Sequence, residues 1–191
     1  MSSTPLSTLY NSPNLDDATA LPKINVALAE LYINDIPFAK LLLVSTSENS
    51  PSNEGNCGLF LSKKAKQVYG FEVIRSSLEN AERNAKINNI SNTSFYKANL
   101  DTFFKSGQLP KKIPKPDVVI VDPPRAGMHP DMVQYLPKLN AKKIIYVSCN
   151  PTTQARDAKI LCEKGYKLKA GTMVDMFPHT PHIETIVLFS K

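Results

Sequence analysis

Residues 117–124 read DVVIVDPP: four aliphatic residues without a polar interruption, then an aspartate and two prolines. A strand that is solvated on one face alternates apolar and polar residues. A strand buried on both faces is apolar throughout, and it needs a layer of structure on either side. This run therefore points to a parallel sheet covered by helices above and below. A second such run, KKIIYVSC at 142–149, follows one helix-like segment later.

The rest of the chain repeats that alternation. INVALAELY spaces Ile24, Ala27, Leu28 and Leu31 like one face of a short helix, and KLLLVST (40–46) reads as a strand. A polar, turn-rich loop spans 47–56, and CGLFLSKKA opens a helix before the strand QVYGFEV at 67–73. Residues 76–89 predict an amphipathic helix with Leu78, Ala81, Ala85 and Ile87 toward one side. A strand over 94–99 and a Pro/Lys-rich connection at 107–116 precede the DVVIVDPP run. Helices are expected near 131–139 and 151–164, and two strands near 167–174 and 184–190. Strands alternating with helices give an α/β domain with a mainly parallel sheet, assigned to residues 24–191. Residues 1–23, rich in Ser, Pro, Asn and Thr, read as a poorly ordered or loosely packed lead-in.

Ligands of such sheets bind beyond the carboxyl ends of the strands. Glu72, Asp122 and Cys149 fall at three of those ends. An acid like Glu72, ending the second strand, can accept hydrogen bonds from both hydroxyls of a ribose; a solvated charge is the plainer reading. Asp122 precedes two prolines, which stiffen the turn and remove two backbone donors. Cys149 is followed by Asn150 and Pro151, a good helix cap and a good first helical residue. The sulfur is thus expected beside a helix N-terminus that favours thiolate, although an inert strand-end cysteine also fits. Glu184, just ahead of an apolar strand, is expected to be partly desolvated, with a raised pKa suited to proton transfer.

Charge and cysteine usage bound the remaining classes. Lys and Arg exceed Asp and Glu by 23 − 17 = 6, a mild basic excess that suits a polyanion such as RNA. Cys57, Cys149 and Cys162 lack CxxC spacing, which argues against a disulfide framework or zinc ribbon and for a reducing compartment. His179 and His182 flank a proline and have no well-spaced third ligand, so no metal is expected. No apolar run approaches the roughly 20 residues of a membrane helix, and the first residues lack a signal-peptide pattern. A cytoplasmic protein is expected.

Taken together, FEV, FYKANL, DPPRAG, YVSCNPTTQARD and DMFPHTPHIETIVLF resemble the RNA 5-methyluridine methyltransferases, over roughly residues 58–191. The wording is most similar to the branch acting on 23S ribosomal RNA. The resemblance implies a Rossmann-like methyltransferase fold with an antiparallel C-terminal strand, S-adenosylmethionine as cofactor, and RNA as partner, rRNA before tRNA. It implies that Cys149 adds to uracil C6 and that Glu184 removes the C5 proton. It places Asp122 between cofactor and base, Arg125 in the substrate-binding turn, and Glu72, Asn99 and Gly55 with the cofactor. The target uridine would have to be unstacked and flipped into the pocket.

Two segments depart from the family pattern. The family's glycine turn falls on Asn49–Gly55, where Gly55 is kept while Asn49 and Asn53 replace an acid and a glycine. Lys23 of LPKIN stands where the family has a cofactor-touching glutamine. The family's N-terminal barrel and iron–sulfur cysteines find no counterpart. No metal or cluster is therefore expected, a monomer is expected, and RNA affinity is assigned to basic surface including Lys111, Lys112 and Lys115. Three readings remain: an intact uridine methyltransferase domain, a paralogue with impaired cofactor binding that serves as an RNA-binding module, or a methyltransferase for another substrate class.

Overall fold

A computed structural model describes residues 40–45, 56–97, 113–175, 179 and 183–191. The expected lead-in, the 24–32 helix, the Asn49–Gly55 turn, Asn99, Lys23, Lys111, Lys112 and His182 lie outside the described residues. Seven strands form one sheet in the order β3-β2-β1-β4-β5-β7-β6. They are β1 (Lys40–Ser45), β2 (Gln67–Glu72), β3 (Thr93–Lys97), β4 (Val118–Asp122), β5 (Lys143–Ser148), β6 (Lys167–Val174) and β7 (Glu184–Ser190). β1 to β5 run parallel, while β7 is antiparallel to both β5 and β6. The α/β class, the parallel body and the antiparallel last strand all follow the sequence expectation.

The unbroken aliphatic run of β4 is explained by its two faces. Val119 and Val121 join the core with Met132, Leu136 and Leu161. Val118 and Ile120 point the other way, into the core with Leu61 and Val68. All four are between 0% and 2% exposed, and each contributes roughly 1.5–3 kcal/mol of burial. At the β2–β3 pair, Gly70 is opposite Phe95. A Cβ built on Gly70 would lie 2.6 Å from Phe95 Cδ1, so the ring occupies the space a side chain would need.

The helices are α1 (Asn56–Ser62), α2 (Arg75–Ile87), α3 (Pro130–Tyr135) and α4 (Pro151–Glu163). Two details differ from the sequence reading. Ile87 is 65% exposed, although Ala81 and Ala85 of the same helix are buried. Ile87 stands two residues past Ala85, about 200° around the helix, so it cannot share that face. The expected single helix over 131–139 is a short α-helix that tightens into a 3-10 turn at Leu136–Leu139. Pro137 lacks the N–H needed to continue the α-helical ladder, and its ring would strike the carbonyl four residues back. Among the described residues, no helix is long and apolar enough to cross a membrane.

Candidate active site

Strand register sets the first distances. Ser45 pairs with Glu72 on one side and with Asp122 on the other. The two acids therefore end adjacent-but-one strands at the same level, roughly 10 Å apart by strand spacing. Glu72 is 8% exposed. Its Oε1 accepts the N–H groups of Val73 and Ile74 at 2.8 and 3.0 Å. Those two donors fix the carboxylate's orientation at the edge of the crevice. A buried, oriented carboxylate at this strand end fits the ribose of a nucleoside cofactor.

On the other side, the chain turns sharply after Asp122. Pro123 is buried, and the Gly127 N–H closes the turn onto the Pro124 carbonyl at 2.8 Å. Cys149 follows the last residue of β5. Asn150 caps α4 as expected: its Oδ1 accepts the Thr152 N–H at 3.1 Å, and Pro151 takes the first helical position. The Asn150 amide also donates to the Arg125 carbonyl at 3.0 Å. That bond links the loop after β4 to the residue beside the cysteine.

Glu184 arrives from β7. The β5–β7 ladder pairs Ser148 with Thr185, so Cys149 and Glu184 are the next residues outward on their strands. Gln154, 5% exposed, fastens this corner. Its Nε2 donates to the Tyr146 carbonyl at 2.9 Å, and its Oε1 lies 2.8 Å from Thr185 Oγ1. Sequence reasoning did not single out Gln154. The signal that would have found it is a polar residue on the face of α4 that also carries Leu161.

The electrostatics tie four residues into one cluster. Burial raises the pKa of the Cys149 thiol, and the Glu184 charge raises it further. A hydrogen bond from the Arg125 side chain and the Arg125 charge oppose that rise, while Asp122 adds to it. The net effect is upward. Desolvation and two carboxylates thus outweigh one arginine, in the direction opposite to the pull expected from the helix N-terminus. Glu184 is pushed up to about 7, first by burial, then by the charge of Asp122, with Arg125 opposing. This agrees with the desolvated acid expected from its position.

Four of the sequence-assigned site residues, Cys149, Glu184, Asp122 and Arg125, thus gather at the carboxyl edge of β4 and β5. Glu72 lies along the same edge on β2, while Gly55 and Asn99 lie outside the described residues. Arg125 was assigned to substrate; its guanidinium also bonds the sulfur. His179 is exposed in a left-handed backbone conformation, φ 71°. Among the described residues no three His, Cys, Asp or Glu side chains gather to hold a metal.

Known proteins match this chain in sequence and fold. The model of the tRNA (uracil-5-)-methyltransferase family matches residues 49–191. An uncharacterized RNA methyltransferase of Chlorobaculum tepidum is 42% identical over 137 residues, covering 72% of this chain and 28% of the relative. One from Streptococcus mutans is 37% identical over 195 residues, covering 96% of this chain and 43% of the relative. The chain thus spans less than half the length of these relatives. Among solved structures, the Pyrococcus abyssi tRNA (uracil-54, C5)-methyltransferase, in complex with S-adenosyl-L-homocysteine, superposes with a TM-score of 0.66. It is 33% identical, and the match covers 91% of this chain and 38% of that one. A precorrin-6y C5,15-methyltransferase from Geobacter metallireducens, 14% identical with a TM-score of 0.61, shares the fold alone. The chain belongs to the tRNA (uracil-5-)-methyltransferase family.

Proposed function

We propose that this chain is the catalytic module of an S-adenosylmethionine-dependent enzyme that methylates C5 of uridine in RNA, with ribosomal RNA ahead of tRNA. The observation that carries the proposal is the convergence of Cys149, Glu184, Asp122 and Arg125 on one corner of the sheet. C5 alkylation of a pyrimidine by this route needs a nucleophile for C6 and a base for the C5 proton, and a cation beside the sulfur favours its ionised form. Family membership and the bound S-adenosyl-L-homocysteine of the Pyrococcus abyssi enzyme support the cofactor. Glu72 is the residue assigned to hold its ribose. The 23S branch wording supports rRNA.

Uridine C5 is a weak nucleophile. Sγ of Cys149 bonds to C6, the thiol proton leaves to solvent, and the C5–C6 π pair moves toward C5 and O4. Arg125 stabilises the negative sulfur as it forms, and Asp122 is assigned to hydrogen-bond the uracil edge and hold the ring. S-adenosylmethionine supplies an electrophilic methyl group when bound. The Glu184 carboxylate then takes the C5 proton, the C5–C6 double bond returns, and the Cys149 thiolate leaves. A base with a pKa near 7 is well matched to this transfer, because it is substantially ionised yet not too weak.

The test is methyl transfer by the chain from methyl-labelled S-adenosylmethionine to unmodified 23S rRNA and tRNA transcripts, with nucleoside mass spectrometry. The expected product is 5-methyluridine in the rRNA. A methyl group on any other nucleoside, or none in either RNA, overturns the proposal.

A further inference from the structure

Four polar side chains of the α4 cap and helix, Asn150, Thr153, Arg156 and Asp157, all reach the loop that follows β4. Asn150 Nδ2 and Thr153 Oγ1 donate to the Arg125 carbonyl at 3.0 and 3.1 Å. Arg156 Nη2 donates to the carbonyls of Ala126 and Met128 at 3.1 and 3.4 Å. Asp157 Oδ2 accepts the Met128 N–H at 2.8 Å and the Tyr146 hydroxyl of β5 at 2.8 Å. Its Oδ1 pairs with Arg156, 2.9 Å from Nε and 2.8 Å from Nη2. The helical period explains the grouping, since positions 150, 153, 156 and 157 fall within about a third of the helix circumference.

Asp157 is 1% exposed. A carboxylate this deep is tolerated only when its oxygens are engaged, and three groups engage this one. The loop also approaches the helix too closely for a side chain. Gly127 has φ +83°, and a Cβ there would lie 2.6 Å from Arg156 Nη2 and 2.9 Å from Asp157 Oδ2. Loop and helix are therefore one rigid piece. That piece carries Arg125 at one end and, through the Asn150 cap, Cys149 at the other.

We propose that Asp157 and Arg156 are positioning residues, which hold the Arg125–Met128 loop against α4 so that the Arg125 guanidinium stays on the Cys149 sulfur. Neither residue touches the reacting atoms. The proposal rests on the reading of Cys149 as the nucleophile. The charged groups acting on the thiol are Glu184 from β7, Asp122 from β4 and Arg125 from the loop. Arg125 is the cation among them, so loosening its loop leaves the two carboxylates to keep the sulfur protonated.

The experiment follows the rate of Cys149 alkylation by iodoacetamide against pH in the full chain, using peptide mass mapping to read that cysteine alone. Asp157→Asn removes a buried charge and lowers thermal stability, so Arg156→Ala, at a side chain 54% exposed, is the deciding variant. Thr153→Val removes the second strap, and Thr153→Ser keeps its hydroxyl. Arg156→Ala and Thr153→Val are expected to raise the alkylation midpoint by about half a pH unit, roughly a threefold slower reaction below the midpoint. Thr153→Ser is expected to restore the wild-type curve. Thermal melts by circular dichroism confirm that each variant is folded. A wild-type midpoint in Arg156→Ala overturns the proposal, whatever Thr153→Val shows. A failed nucleophile reading shows itself differently, as absence of an adduct with 5-fluorouridine RNA while the alkylation midpoint still responds to the straps.

Discussion

Ser148 and Thr185 form the last rung of the β5–β7 ladder, with the Thr185 hydroxyl 3.0 Å from the Ser148 carbonyl. One residue farther out on each strand are Cys149 and Glu184. The proposed nucleophile and the proposed base are 35 positions apart in sequence, yet a single antiparallel register sets their separation. A one-residue slip would turn the Glu184 side chain to the opposite face of the sheet. The antiparallel last strand therefore brings the proposed base to the carboxyl ends of the parallel strands.

Replacing the base should stall the reaction after methyl transfer. Glu184→Gln keeps the shape of the side chain but cannot accept the C5 proton. Turnover is expected to fall about 10²- to 10⁴-fold. The covalent RNA–protein complex should accumulate with ordinary uridine, visible as a mass shift on a denaturing gel. Loss of activity without accumulation would assign Glu184 a role before the adduct forms.

The raised pKa of Glu184 has a kinetic and a stability consequence. Proton removal needs the carboxylate, so breakdown of the adduct should accelerate as pH rises through about 7. For stability, the folded protein holds this proton more tightly than the unfolded chain, whose Glu titrates near 4.5. The contribution is fully present below about 4.5 and is lost as pH rises through about 7. Glu184→Gln should therefore become more stable relative to wild type at pH 8 than at pH 5, as read by urea midpoints. Equal differences at both pH values would refute the shift.

Glu72 is expected to matter for the cofactor and not for RNA. Glu72→Ala removes the acceptor assigned to the ribose, and loss of charged hydrogen bonds of this kind costs about 1.5–3 kcal/mol. Calorimetric affinity for S-adenosylmethionine should weaken about 10- to 100-fold, with RNA binding by filter assay unchanged. An unchanged cofactor affinity would remove Glu72 from the site.

Gln154 is expected to be structural. Gln154→Leu removes the side-chain donor to the Tyr146 carbonyl in a buried corner, while the Thr185 hydroxyl keeps the Ser148 carbonyl. A buried group deprived of its partner costs about 1–3 kcal/mol. The urea midpoint should fall by a corresponding amount, and a midpoint within error of wild type would contradict the assignment.

Much of this fold was legible because the buried strands are written plainly. The β4 and β5 runs are apolar on both faces, and Asp122 and Cys149 stand where those runs stop. Asn150 and Pro151 announced the start of α4 by local chemistry alone. What the sequence could not show depends on segments meeting in space. The hydrogen bond from Arg125 to Cys149 spans 24 positions, and the Asp157 straps depend on how the loop crosses α4. The upward pull on the thiol was hidden for the same reason: a helix cap is visible locally, but the carboxylate of Glu184 arrives from the last strand. Ile87 failed on angle, because an apolar residue two places past Ala85 lies on the far side of the helix.

The central claim is that the Cys149 sulfur becomes covalently joined to its uridine. The direct measurement is intact-complex mass after incubating the chain with S-adenosylmethionine and an RNA containing 5-fluorouridine, in which C5 carries no proton for Glu184 to remove. The account predicts a stable adduct whose mass equals protein plus methylated RNA, mapped to the Cys149 peptide and absent from Cys149→Ser. An adduct that persists in Cys149→Ser, or methylation of ordinary uridine RNA by that variant at the wild-type rate, would contradict it.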